Sequence, residues 1–193
     1  MNYKIQDQNG LYFLTFTLVD WVDLFTRPIY AEIILDSLKY CQKEKDLMVH
    51  AYVIMPSHLH LILSTSNEKG LSQIIQSFKS YTAKAIIRYL EDLSKVESRR
   101  YWILRRFEFN ARTNKRDSKY QIWRRDNHPV ILFSPKAIRT NLNYIHNNPI
   151  VSGFVESEEH YRYSSASNYT TGSGLIDVDI LDDIYIDVGY INC

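Results

Sequence analysis

The sequence has few cysteines, no nucleotide-binding glycine motif and no hydrophobic run of membrane length. Its two cysteines, Cys41 and Cys193, lie far apart and outside any CxxC motif, which argues against a disulfide framework or a thiolate metal site and fits a reducing cytosol. The polar start MNYKIQDQNG carries no visible signal peptide, and no segment approaches the length of a membrane helix. Because a P-loop and a GxGxxG motif are also absent, we expect no nucleotide cofactor, no membrane partner and a cytoplasmic location.

Charge is nearly balanced over the whole chain but is unevenly distributed. The formal net charge is +1, yet residues 99–125 hold ten lysines and arginines against two acids, while residues 155–193 hold eight acids against one base. A basic middle and an acidic end predict a polyanion-binding face and a tail that avoids it, although both segments could instead be ordinary solvated surface. The candidates for nucleic-acid contact among the basic residues are Lys79, Arg105, Arg106, Arg124 and Arg125.

Aromatic residues are interleaved with the basic stretch. They could stack on the bases of a single strand, or they could belong to the protein core. These residues are Tyr101, Trp102, Phe107, Phe109, Tyr120 and Trp123.

Hydrophobic periodicity predicts the element order β-α-β-β-α. The predicted strands are Leu11–Val19, Leu47–Met55 and His58–Thr65, and the predicted helices run from Pro28 to about Glu44 and from Gly70 to about Leu93. This order is that of an α+β, ferredoxin-like (RRM-like) fold, an antiparallel sheet with helices packed on one face, and it requires a fourth strand. Tyr120–Trp123 and Val130–Phe133 are the candidates for that strand, and the charged segment Asn110–Lys119 is predicted to be an inserted loop.

A further helix is predicted to begin at Pro135, with Ser134 as its N-cap. It should end near Asn147, because Pro149 disfavours helical geometry at the preceding residue. Ile138, Leu142 and Ile145 fall on one arc of this helix and should face the sheet.

The predicted domain organisation is a single domain followed by a tail. The domain covers residues 1–170 and includes the basic insertion at about 99–119. Residues 171–193 form an acidic C-terminal tail, in which alternating Asp with Ile and Val over Leu175–Cys193 suggests one edge strand.

The strand His58–Thr65 opens with His58-Leu59-His60 directly after a turn. Side chains alternate along a strand, so the two histidines share one face and provide half of a divalent-metal site. The alternative is a pair of polar residues on a solvated face. The remainder of the strand is strongly apolar, which favours histidines that have a partner.

The helix that begins at Pro135 carries a second chemical candidate. Tyr144 lies off the apolar arc, and Asn148 is its neighbour four residues later on the same face. Asn148 could supply an oxygen to a metal held by His58 and His60, which would place the Tyr144 hydroxyl beside that metal. The alternative is a surface tyrosine and an asparagine that closes the helix before proline.

Three other residues have side chains that are capable of chemistry. Tyr81, in the string FKSYTAK, is a rival nucleophile, although packing is its expected role. His128, in RRDNHP, is a candidate site residue or a loop histidine without a role. His146 lies two residues from Tyr144 and therefore on another helix face.

The strings YVIMPSHLHLIL and LNYIHNNPIVSGFV resemble sequences of the single-tyrosine HUH transposases, in particular the REP-associated and related transposase-like proteins of bacteria. HUH denotes His, a hydrophobic residue and His, which His58-Leu59-His60 matches. Tyr144, Asn148, Pro149 and Gly153 match the second string of the family, and the segment Tyr161–Tyr169 resembles its usual ending. The similarity covers roughly residues 11–169, and the chain departs from compact family members in its basic insertion and acidic tail.

The resemblance implies a ferredoxin-like enzyme that cuts single-stranded DNA, often at a hairpin. In such enzymes a divalent cation, Mg²⁺ or Mn²⁺, polarises the scissile phosphate, and the tyrosine attacks to give a 5′-phosphotyrosine and a free 3′-hydroxyl. A second strand's 3′-hydroxyl can then reverse the step. Tyrosine is a poor nucleophile at neutral pH, which agrees with a metal-assisted mechanism.

Several alternatives stay open at this point. The same element order occurs in RNA-recognition domains, which bind single strands without cutting them, and a degenerate transposase could bind DNA hairpins without transposing. A monomer and a homodimer are both compatible with the sequence, as is attack by the tyrosine of either subunit of a dimer.

Overall fold

The sheet is built around a hairpin that joins β2 (Leu47–Met55) to β3 (His58–Thr65), and both strands have the predicted bounds. In this computed structural model, which describes residues 4–115 and 118–181, β1 (Tyr12–Thr17) pairs antiparallel with β3. A short fourth strand, β4 (Val130–Ile131), pairs with β1, so that the strand order is β2-β3-β1-β4.

The fourth strand falls within one of the two predicted candidates, Val130–Phe133. The other candidate, Tyr120–Trp123, contributes only a single bridge, between Trp123 and Leu18. Trp123 is buried in the core, and its indole N–H donates a hydrogen bond to the Thr82 hydroxyl. The apolar character of this candidate therefore reflects packing rather than strand pairing.

Two helices, α1 (Pro28–Lys45) and α2 (Gly70–Glu91), cover one face of the sheet. Alternation along the strands directs apolar side chains such as Leu59 and Leu61 into the core that these helices share. The predicted α+β, ferredoxin-like arrangement is confirmed, including these two helices on one face.

A third long helix, α4 (Pro135–Val151), packs on the opposite face of the sheet. Its predicted N-cap is confirmed, because the Ser134 side chain accepts a hydrogen bond from the Ala137 N–H at 3.2 Å. Leu142 and Ile145 are fully buried against this sheet face, as their spacing predicted. Helices therefore occupy both faces, with α4 added to the predicted arrangement.

The predicted end of α4 near Asn147 is wrong, because the helix continues through Pro149 to Val151. Pro149 is buried, and a C-terminal motif closes the helix two residues after Val151. Gly153 adopts φ 74°, its N–H bonds to the Ile150 carbonyl, and the N–H of Phe154 bonds to the Pro149 carbonyl. This Schellman geometry satisfies the last carbonyls, so the helix ends at glycine rather than before proline.

The basic stretch forms a helix, α3 (Arg100–Thr113), so the prediction of a loop over Asn110–Lys119 is wrong at its start. Ile103 and Phe107, on the inner face of this helix, are fully buried and anchor it to the core. A turn follows at Asn114, and residues 116–117 lie outside the described part of the chain.

The chain ends, as far as it is described, in the short helix α5 (Ala166–Thr171) and an extended segment, residues 175–181. Ile176 is buried in the core, and the Asp179 N–H donates to the Val49 carbonyl at 2.9 Å, on the edge of β2 that faces away from β3. The predicted edge strand is not formed over residues 175–181, and its remainder, residues 182–193, lies outside the described residues.

None of the helices in the described part of the chain combines the length and apolar character needed to cross a lipid bilayer.

Candidate active site

His58 and His60 lie side by side on the sheet face that α4 covers in part. Their ring centroids are 4.8 Å apart, because both side chains project from the same face at the start of β3. His60 is 5% exposed, whereas His58, the first residue of the strand, is half-buried. Two imidazole donors are thus adjacent, with the His58 ring more accessible to solvent.

The His60 ring is held by two residues of β1. Thr15 pairs directly with His60 across the β1–β3 ladder, and its hydroxyl oxygen lies 2.9 Å from His60 Nδ1. Phe13 stacks on the same ring, with centroids 5.5 Å apart and planes inclined by 17°. A hydrogen bond at Nδ1 fixes the ring orientation and leaves Nε2 as the nitrogen available to another group.

Tyr144, on α4, occupies the position next to His60 Nε2. Its hydroxyl oxygen lies 3.4 Å from that nitrogen, and its ring meets the His60 ring edge-on at 5.0 Å. The side chain is 49% exposed. The packing of Leu142 and Ile145 against the sheet sets the rotation of α4 and so directs Tyr144 toward β3. The hydroxyl is therefore both beside a histidine and open to a large substrate.

Burial keeps both histidines neutral at physiological pH. Desolvation by burial is the main cause that lowers the pKa of His60 to about 3, and electrostatic repulsion from His58 lowers it further. Desolvation also lowers the pKa of His58. A neutral imidazole has a free ring nitrogen lone pair, which is the form that binds a divalent metal. The donor set therefore fits the expected Mg²⁺ or Mn²⁺, although hard cations of this kind also require oxygen ligands.

Asn148 follows Tyr144 by one turn of α4 and is half-buried. Its side chain makes no hydrogen bond to any residue that the structure describes, and its backbone carbonyl accepts from the Ser152 N–H. Within the described residues, no three His, Cys, Asp or Glu side chains are grouped so that they could hold a metal ion. A cation here would therefore need amide, water or phosphate oxygens, and Asn148 is the predicted source of an amide oxygen.

The rival chemical candidates lie elsewhere. Tyr81 is on α2, which packs on the sheet face opposite to the histidine pair, and its side chain is 62% exposed rather than packed as expected. His128 lies in the loop before β4, with its Nε2 3.5 Å from an Asp126 carboxylate oxygen. His146 is buried on another face of α4 and contacts the Ser165 hydroxyl at 3.0 Å.

The predicted DNA-contacting cations fall into two groups. Arg105 and Arg106 are exposed on α3, and Arg106 lies 3.8 Å from the Asp20 carboxylate. Arg124 and Arg125 are exposed in the segment after Trp123. The Lys79 ammonium group donates to the Arg124 carbonyl at 2.8 Å and also to Asn127, so it fastens this segment to α2.

The aromatic residues of the basic stretch also divide. Phe107 and Trp123 are core residues, and the Tyr120 hydroxyl donates to Glu91 at 3.1 Å. The exposed residues, all on α3, are Tyr101, Trp102 and Phe109.

Sequence reasoning missed three residues around the histidines: Phe13, Thr15 and Trp21. The alternation of threonine in LYFLTFTLV was the available signal for Thr15, since residues two apart share a strand face. Trp21 lies in a 3-10 turn, Val19–Trp21, and its ring meets that of His58 edge-on at 5.6 Å. The position of the Trp21 ring depends on how that turn packs against the rest of the protein, which a periodic pattern in the sequence cannot predict.

The profile of the family described as "Transposase IS200 like" matches residues 12–118 of the chain. This match covers more than half of the sequence and includes the histidine pair. The chain therefore belongs to the IS200-like transposase family, and the resemblance inferred from its two sequence strings is confirmed.

Among solved structures, the chain is similar to a REP-associated tyrosine transposase bound to a REP hairpin. The sequence identity is 16% and the TM-score is 0.64, and the match covers 95% of this chain and 92% of the other. At this level of identity the similarity establishes a shared fold. No curated protein sequence matches the chain.

Proposed function

We propose that this transposase nicks and rejoins single-stranded DNA through a covalent intermediate on Tyr144. The observation that carries the proposal is the distance of 3.4 Å between the Tyr144 hydroxyl and His60 Nε2, with His58 beside it. A nucleophile next to a pair of neutral imidazoles is the arrangement expected for metal-assisted phosphoryl transfer.

In the proposed reaction, the Tyr144 oxygen attacks the scissile phosphorus as the hydroxyl loses its proton. The bond from phosphorus to the 3′-oxygen breaks, and this oxygen takes up a proton in place of the one that Tyr144 has lost to solvent, which leaves a 5′-phosphotyrosine and a strand that ends in a 3′-hydroxyl. Attack by a second 3′-hydroxyl reverses these changes and restores Tyr144. Because a phosphodiester is conserved throughout, the reaction requires no nucleotide cofactor.

His58, His60 and Asn148 are the residues that would hold a divalent cation, Mg²⁺ or Mn²⁺. When bound, this cation neutralises charge on the phosphate and favours the phenolate form of tyrosine. Thr15 and Phe13 keep the His60 ring in position, and the exposure of Tyr144 admits a DNA strand.

The proposed substrate is single-stranded or hairpin-forming DNA. This agrees with the hairpin bound to the structurally similar REP-associated transposase. The exposed face of α3 has the chemistry of a single-strand contact, since it presents Arg105 and Arg106 together with aromatic rings. Arg124 and Arg125 provide a second cationic surface that could contact phosphates.

A covalent-trapping assay tests the proposal. The full chain is incubated with a varied set of labelled hairpin DNAs, with Mn²⁺ or with chelator, and denatured before electrophoresis. We expect an adduct that requires metal, is lost in Tyr144→Phe and persists in Tyr81→Phe.

Two outcomes would contradict the proposal. An adduct that persists in Tyr144→Phe but is lost in Tyr81→Phe would move the nucleophile to α2. Tight, metal-independent hairpin binding without any adduct would indicate a binding module or a degenerate transposase.

A further inference from the structure

Trp21 is an exposed aromatic residue at the edge of the candidate active site. Its side chain is 57% exposed, although tryptophan is usually largely buried. The ring lies against His58, with centroids 5.6 Å apart and planes inclined by 79°. The indole N–H makes no hydrogen bond to any described residue. The ring thus contacts the site at His58, while more than half of the side chain stays open to solvent.

The backbone holds this ring in place by an unfavourable conformation. Asp20 and Trp21 have φ values of 52° and 53°, in the left-handed region that bulky residues rarely occupy. Such conformations persist only where the surrounding structure enforces them, and they are frequent at functional sites. Val19 and Val22, on either side, are buried and anchor the turn to the core.

Helix α3 provides a further constraint on this turn. The Asp20 carboxylate accepts a hydrogen bond from the Asn110 side chain at 2.9 Å and lies 3.8 Å from Arg106. The loop is therefore connected to the basic helix on one side and to His58 on the other. Trp21 is thus part of a series of contacts that leads from α3 through Asp20 to His58, and from there to His60 and Tyr144.

We propose that Trp21 is a base-stacking platform, on which one nucleobase beside the scissile phosphate rests. This inference rests on the proposed DNA-nicking function and names a residue that binds its substrate. Stacking suits the position, because every base has an apolar face, whatever the sequence. A ring fixed in advance also loses little conformational freedom when the base binds.

The test compares two single-stranded probes that carry the same phosphates. One is oligo(dT), and the other is an abasic deoxyribose-phosphate chain of equal length. Binding is measured by fluorescence anisotropy in chelator, with every variant built on the full-length Tyr144→Phe chain. Neither metal nor the nucleophile takes part, so the result is independent of whether the chain nicks DNA.

We expect Trp21→Leu to weaken oligo(dT) binding about 5- to 100-fold and to leave binding of the abasic chain unchanged. Trp21→Tyr, which restores an aromatic ring, should recover most of the affinity. Tyr40→Leu removes an equally exposed ring on α1 and should affect neither probe.

Three results would overturn the proposal. Trp21→Leu could weaken both probes equally, which would indicate an effect on charge or folding. It could leave oligo(dT) binding unchanged, or the Tyr144→Phe chain could bind oligo(dT) no more tightly than the abasic chain. The unmodified chain could fail to form any covalent adduct, while Trp21→Leu still weakens binding of oligo(dT) alone. That outcome would refute the nicking function but not the stacking role of Trp21.

Discussion

Thr15 contacts His60, the more deeply buried of the two histidines at the candidate site. The Thr15 hydroxyl lies 2.9 Å from His60 Nδ1, which fixes the ring orientation that presents Nε2 toward Tyr144. Contacts of this kind orient metal-binding histidines in many proteins, and their removal costs metal affinity.

Replacement of Thr15 by valine should lower Mn²⁺ affinity about 10- to 100-fold, because the shape is kept but the hydroxyl is lost. Isothermal titration of the full chain measures this affinity. Thr15→Ser should restore it. Thr17→Val is the matched control, since Thr17 pairs with His58 but shows no hydrogen bond to it. Equal losses in both valine variants would contradict a specific role for Thr15.

His146 makes folding dependent on pH, because desolvation lowers its pKa to about 4. An unfolded histidine titrates near 6.5, so the unfolded state gains a proton first as the pH falls. Above that value the residue adds no pH dependence. Between about pH 6.5 and pH 4 the free energy of unfolding falls because the unfolded state binds the proton more tightly. At pH 5 this loss amounts to about 2 kcal/mol.

We therefore expect His146→Gln to reduce the loss of unfolding free energy between pH 7 and pH 5. Glutamine can keep a hydrogen bond to the Ser165 hydroxyl, and urea unfolding measures the difference. His160→Gln, at an exposed histidine, should leave the pH dependence as it was. Identical pH dependence in His146→Gln and the unmodified chain would show that His146 is not responsible.

At the scale of elements, the segment 175–181 lies at one end of the outer edge of β2, and Ser164 bridges Val53 further along the same edge. A free sheet edge invites pairing with other chains, and a covering segment prevents it. Its anchor is Ile176, which is buried beside α1, and the Asn168 side chain bonds to its carbonyl at 2.9 Å. Part of the predicted acidic tail thus contributes to the body of the protein, and we propose that the domain extends through this segment.

Ile176→Ala should destabilise the protein by about 2–4 kcal/mol, since it removes buried methyl groups from a packed core. Ile180→Ala is the control, because that side chain is 37% exposed and should cost no more than about 0.5 kcal/mol. Chemical unfolding of the full chain measures both values. Comparable effects of the two substitutions would contradict an anchoring role for Ile176.

The elements that the sequence predicted best are those whose signals are local. Alternation and the turn at Pro56 and Ser57 determine the hairpin, and Ser134 marks the start of α4. The signal for α3 is weaker, because only Ile103, Phe107 and a few neighbours interrupt a charged sequence.

The sequence likewise predicted some residues of the candidate site and missed others. The histidine pair and Tyr144 follow from strand and helix periodicity within single elements. Phe13 and Thr15 reach His60 only through the register between β1 and β3, and Trp21 reaches His58 only through the packing of a turn. Such positions depend on long-range contacts, which one sequence does not encode as a period.

For the whole molecule, the position of Tyr144 beside a histidine of the same chain bears on how subunits would cooperate. The arrangement supports attack by the tyrosine of the same subunit, whether the protein is a monomer or a homodimer. We therefore propose that one chain contains a complete site.

A mixture of Tyr144→Phe and His60→Ala chains should form no covalent DNA adduct, because neither chain contains both groups. The assay is the trapping experiment, after mild denaturation and refolding together to allow subunit exchange. Unmodified chain treated in the same way is the control for refolding. An adduct that appears only in the mixture would show that tyrosine and histidines act from different subunits.

The central claim is that Tyr144 becomes linked to the 5′-phosphate of the cut strand. The most direct measurement is mass spectrometry of the trapped adduct after digestion with protease and nuclease. The proposed mechanism predicts a nucleotide phosphate on the peptide that contains Tyr144, and on no other tyrosine peptide. A nucleotide on the Tyr81 peptide, or a modified residue other than tyrosine, would contradict it.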